Sequence, residues 1–186
     1  MRDFDGIYKE FQPKIYRYLS NLTCENDALD LTQAVFLKVS RSLDNFREES
    51  SLSTWIYRIA TNTAHDYSGS SLAKQKGSEH LFDDDGSIDD LPDTGFSGID
   101  REYIRREMSA CIRSVVDQLP ENYRTVLLLS EFEEFTNLEV AEILNISIDT
   151  VKIRLHRGRT SLRKAMKSLC NLYHDERNEL MCDRKG

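Results

Sequence analysis

The chain has 186 residues, of which 39% are hydrophobic and 31% charged, and its formal net charge is −7. That length holds one ordinary domain or two small ones, and the charged share suits small helical units with wide solvated faces. No run approaches the ~18 apolar residues of a membrane span, so no membrane insertion is expected. The acidic balance excludes a histone-like coat on nucleic acid but leaves room for a local basic face.

The opening "MRDFDGIYKEF" lacks the apolar run and small residues of a secretory signal, so the chain is expected in the cytoplasm. Its four cysteines, at positions 24, 111, 170 and 182, are then expected as reduced thiols. Apolar residues at Phe4, Ile7, Tyr8, Phe11, Ile15, Tyr18, Leu19 and Leu22 follow helical spacing, with a break or a new first turn predicted at Pro13. A second helix is predicted from about Asn26 to Leu43. The loop "FREESSLST" ends in a serine cap, and a third helix carries Leu52, Trp55, Ile56, Ile59 and Ala60 on one face.

Composition changes after Tyr67. Residues 68–100 hold five of the eight glycines, and between Glu79 and Asp100 stand eight acids and no Lys or Arg. Such a stretch buries too little apolar surface to fold alone and reads as an acidic flexible linker. The run Asp83-Asp84-Asp85 reads as solvated rather than as a metal site. Helical periodicity returns near Glu102, ends at Leu119-Pro120, resumes through "ENYRTVLLLSEFE", and closes with "NLEVAEIL" and "IDTVKIRLHRGRTSLRKAMKSL". The fold class expected is all-α: residues 1–68 and 102–169 as two small helical domains, 69–101 as the linker, and 170–186 as a tail.

The stretch 137–167 meets the requirements of a helix-turn-helix. Ala141 is small where two helix backbones approach. Asn145 tolerates positive φ in the turn, Val151 pins the second helix, and Thr136 and Ser147 can cap the two helices. From Thr150 to Lys167 there are seven Lys or Arg and no acid. A recognition helix of this kind offers its N-terminal residues to base edges, while further basic groups grip phosphates. The segment is expected to bind DNA.

Three stretches in order, "DALDLTQAVFLKVSRSLDNFREESSLSTWIYRIATNTAHDY", "LPENYRTVLLLSEFEEFTNLEVAEIL" and "SIDTVKIRLHRGRTSLRKAM", resemble the extracytoplasmic-function sigma factors, minimal members of the bacterial sigma-70 family. The resemblance implies a sigma region 2 domain that binds the clamp helices of the largest subunit of RNA polymerase and melts the minus-ten promoter element. It implies a sigma region 4 domain that reads the minus-thirty-five element as duplex. It also implies a linker running through basic polymerase channels, and control by an anti-sigma partner.

Carried over by position, Asp27, Asp30, Leu31, Gln33 and Phe36 fall on the polymerase-binding helix, with Ala34 where the family often has an acid. Asn45, Phe46, Arg58 and Asn62 fall on the minus-ten pocket, beside His65 and Asp66, which are less basic than is usual. Lys152, Arg154, His156, Arg157 and Arg159 fall on positions that touch the minus-thirty-five element, with Ile153 where small polar residues are frequent. Ile can pack on a thymine methyl.

In the tail, Cys170 and His174 stand one helical turn apart and Cys182 could close a metal or redox site. The plain alternative is an amphipathic tail with incidental thiols and no cofactor. No nucleophile–base pair or phosphate-binding loop is present in the pattern, so the chain is not expected to be an enzyme. The competing reading is an autonomous helix-turn-helix regulator whose N-terminal domain senses a ligand or dimerises.

Overall fold

The computed structural model describes residues 3–23, 25–72, 115–174 and 180–184. Residues 73–101 of the expected linker and most of the helix expected from residue 102 lie outside the described residues. Helix α1 (Phe4–Leu22) buries Phe11, Ile15, Tyr18, Leu19 and Leu22. It continues through Pro13, contrary to the predicted break. Pro13 and Lys9 are both exposed, so water can solvate the Lys9 carbonyl that loses its N–H partner.

Helix α2 (Glu25–Ser42) runs into a short 3-10 turn, Leu43–Asn45, and α3 spans Leu52–Leu72. Helix α3 thus extends past residue 68, where the linker was expected to begin. Val35, Val39, Ile56 and Ala60 are fully buried between these helices. Tyr18 Oη lies 2.8 Å from Thr61 Oγ1, which itself donates to the Tyr57 carbonyl at 2.8 Å. Burial raises the Tyr18 phenol above its ordinary pKa, the Thr61 bond opposing.

In the C-terminal half, Val115 and Val116 are buried ahead of a turn into α4 (Glu121–Leu127). Helix α4 loosens into one π-helical turn, Leu128–Phe132, which directs Leu128, Leu129 and Glu131 inward. Helices α5 (Asn137–Leu144) and α6 (Ile148–Leu169) complete this half. Gly158 lets α6 approach α4: a Cβ there would meet Leu127 Cδ1 at 3.1 Å.

The tail departs from expectation. Strands β1 (Cys170–His174) and β2 (Leu180–Arg184) pair antiparallel, Leu172 opposite Cys182 and His174 opposite Leu180. The polar "DERN" between two apolar-rich runs is the hairpin signal that helical spacing obscured.

The two halves touch. Helix α3 packs on α5, and the π-turn reaches α1. Glu133, with only 4% of its side chain exposed, receives Arg17 Nη2 on both oxygens, at 3.1 and 3.2 Å. The Tyr57 hydroxyl donates to the same carboxylate. The Tyr57 ring meets Phe135 edge-on at 4.8 Å, and Arg58 Nε donates to the Glu142 carbonyl at 2.9 Å.

Candidate nucleic-acid interface

Local chemistry builds the helix-turn-helix. Thr136 caps α5 reciprocally with Glu139: Thr136 Oγ1 accepts from the Glu139 N–H at 3.3 Å, and the Glu139 carboxylate accepts from the Thr136 N–H at 2.9 Å. Asn145 ends α5 in the left-handed region, at φ 52° and ψ 47°. Ser147 Oγ accepts from the Thr150 N–H at 3.1 Å and so caps α6. Val151 is fully buried and Ala141 nearly so. Every position singled out for this motif occupies its expected place.

Helix α6 divides by face. Val151, Leu155, Leu162 and Met166 are buried, while Lys152, Ile153, His156, Thr160, Arg163, Lys164 and Lys167 are exposed. Lys152 pairs loosely with Asp149 at 3.7 Å on this open face. Arg154 and Arg157 lie at its edges, half-buried.

Arg159 is a correction. Its side chain is 17% exposed and directs Nε and Nη2 onto Glu131 Oε1, at 3.1 and 2.6 Å. Glu131 is itself 9% exposed, so this is a buried, charge-assisted strut from the π-turn to the recognition helix rather than a group facing outward. Sequence position alone could not separate Arg159 from its basic neighbours. Its signal was a cation on the same side of the helix as the buried Gly158 and Leu162.

Among the minus-ten residues, Asn45 is exposed, and Phe46 is half-buried with its ring stacked on Trp55 at 4.8 Å. Arg58 and Asn62 follow Trp55 by three and seven residues on the same face of α3, and they line an open cleft of about 690 Å³ shared with Leu138, Glu142, Asn145 and Ile148 of the helix-turn-helix.

The polymerase-binding set also divides. Asp30 and Gln33 are exposed and Asp27 is half-buried, but Leu31 and Phe36 are core residues. Phe36 meets Tyr8 edge-on at 4.9 Å. Leu29 and Leu37, which are not in the expected set, are 52% and 55% exposed. They stand at i and i+8 around Gln33, two leucines more than the buried stripe Ala28, Leu31, Val35, Val39 requires.

The helical spacing assumed for Cys170 and His174 in the tail is not the one the backbone adopts. Four residues along a strand carry the backbones of Cys170 and His174 about 13 Å apart, where a helical turn would have set them side by side. No cluster of three potential metal ligands occurs among the described residues. No helix among them is long and apolar enough to cross a membrane.

A helical domain joined in one chain to a helix-turn-helix with a basic outer face defines a two-domain helical DNA-binding protein. Residues 7–71 match the family Sigma-70 region 2, and residues 109–162 match Sigma-70, region 4. The ECF RNA polymerase sigma factor SigW of Bacillus subtilis is 34% identical over 90% of this chain and 89% of its own length. The RNA polymerase sigma-H factor of Pseudomonas aeruginosa is 31% identical over 90% of this chain and 88% of its own. The fold is also that of the sigma factor RpoE in its complex with the anti-sigma factor NepR from Bartonella quintana, with TM-score 0.68, 20% identity, and 90% and 98% of the two chains covered. The chain belongs to the extracytoplasmic-function sigma factors of the sigma-70 family, which is not a family of enzymes.

Proposed function

We propose that this protein binds core RNA polymerase in the cytoplasm and directs it to a set of promoters, the polymerase supplying all of the chemistry. The observation that carries the reading is the division of α6: a reading face of Lys152 and His156 flanked by Arg154 and Arg157, held rigid from behind by the Arg159–Glu131 pair. A helix fixed in this way can present its N-terminal half to the minus-thirty-five duplex in one register.

The polymerase clamp takes the outer face of α2, where Asp30, Gln33, Leu29 and Leu37 are exposed beside Asp27. Two leucines flanked by acids suit a helical partner with apolar knobs and basic flanks. For the minus-ten element, a base leaves the stack and is held by stacking and edge hydrogen bonds. The Phe46–Trp55 stack and Asn45 supply the first part, and Asn62 and Arg58 supply polar groups for the base edge and strand backbone. Arg58 donates to the Glu142 carbonyl in the closed arrangement, so the two domains part before Arg58 and Asn62 meet DNA. An anti-sigma partner that holds the closed form would silence the protein. The acidic stretch Glu79–Asp100 suits a path through basic polymerase channels.

Reconstitution with bacterial core polymerase and transcription from a pool of genomic promoter fragments tests the proposal. Specific transcripts are expected, and they are lost with Phe46→Ala/Asn62→Ala or with Arg154→Ala/Arg157→Ala. Tight duplex binding without polymerase, and no transcripts with it, would instead establish an autonomous regulator.

A further inference from the structure

Three large apolar side chains of the helix-turn-helix are exposed: Leu138 (57%), Ile148 (36%) and Ile153 (43%). Leu138 and Ile148 line the cleft shared with α3; Ile153 does not. It is the sixth residue of α6, one turn after Asp149 and one before His156, and it stands beside Lys152 on the exposed face. The buried side chains Val151 and Leu155 mark the opposite face. A branched hydrocarbon in the middle of a polar reading surface gains nothing from water.

We infer that Ile153 reads a thymine of the promoter duplex through its C5-methyl group; this rests on the sigma-factor reading above. Base-pair edges in the major groove carry hydrogen-bonding groups and one apolar feature, the thymine methyl. Ile153 can neither donate nor accept a hydrogen bond, so the methyl is the feature it can discriminate. Its position in the N-terminal third of the recognition helix is where side chains reach base edges. Its β-branch fixes χ1 in the helix, so little rotamer freedom is lost on contact. Lys152 and His156, on either side, supply the polar contacts that set its register.

The test uses holoenzyme reconstituted from the full chain and a promoter selected from the fragment pool. Each thymine of the upstream element is replaced in turn by deoxyuridine, which removes only the methyl. One replacement is expected to weaken promoter binding by wild type about fourfold, the worth of one buried methyl-sized group. The same replacement should change nothing for Ile153→Ala, while Ile153→Val keeps most of the effect. Alanine on an exposed helix face favours the helix, so this variant folds. Indifference of the wild type to uracil at every thymine, or equal sensitivity in Ile153→Ala, would overturn the inference while leaving the sigma reading intact. Absence of any promoter-specific transcript would overturn both.

Discussion

Glu133 ties the two DNA-reading halves together, and removing its carboxylate should release them. The Glu133→Ala change deletes two interactions of unequal worth. Arg17 is 61% exposed at its side chain, so its half of the contact is screened and contributes about 0.5 kcal/mol. The Tyr57 hydroxyl is different: it donates to an ionised acceptor in a buried place, a bond worth about 1.5–3 kcal/mol. Together these give about 2–3.5 kcal/mol, which shifts the closed–open equilibrium about 30- to 300-fold. The loss falls on the domain contact rather than on either fold, because an opened Tyr57 regains water. Glu133→Gln keeps an acceptor for Tyr57 and should shift the equilibrium only about fivefold, the effect of roughly 1 kcal/mol. Small-angle X-ray scattering reads the outcome. A compact chain of this length has a radius of gyration of about 16 Å, and Glu133→Ala should exceed the wild type by several ångströms at unchanged helix content. An unchanged radius accompanied by a lower melting temperature would refute the reasoning, because Glu133 would then stabilise a domain and not their contact.

Asn145→Ala should destabilise the C-terminal half by about 1 kcal/mol, since φ is 52° there, whereas Asn145→Gly should be close to neutral; thermal melts compare the two. Glu131→Ala leaves Arg159 buried without its partner and should cost about 2–4 kcal/mol, with a larger relative loss of minus-thirty-five-dependent transcription than of transcription from promoters lacking that element. Burial raises the Tyr57 phenol above its ordinary value, with the neighbouring Glu133 carboxylate adding to the rise, and burial raises Tyr18 likewise. The native state therefore retains protons that the unfolded chain releases above about pH 10, so the contribution of these two tyrosines to stability should be constant below that pH and fall above it. Denaturant melts across this range should show a smaller fall for Tyr18→Phe; an identical fall would refute the assignment.

The helix-turn-helix was legible because its demands are local. A cap, a left-handed turn residue, a small residue at a crossing and a buried pin all fall within sixteen positions, Thr136 to Val151. Arg17 and Glu133 are 116 positions apart and Arg58 and Glu142 are 84 apart, and no periodicity reports such pairs. Leu31 and Phe36 carried the right residue types for a docking face, but the core claimed them, and only the packing of α1 against α2 shows which stripe is inside. Arg159 was hidden for the same reason, as one cation among seven. Pro13 misled because a proline on the wet side of a helix gives up a bond that water replaces. The tail misled because a four-residue spacing means contact in a helix and separation in a strand.

The two-sided construction of α6 also bears on how such proteins diversify. Anchoring is assigned to Val151, Leu155, Gly158 and Arg159, and the outward residues Lys152, Ile153 and His156 are absent from that framework. Substitutions on the outer side therefore leave the fold's stability nearly untouched. A duplicated copy can drift toward new target sequences through a few exchanges without first acquiring compensating changes inside. If the outer face reads the promoter as proposed, transplanting those three outward residues into a relative is expected to retarget it, and transcription assays on the two promoters would check it.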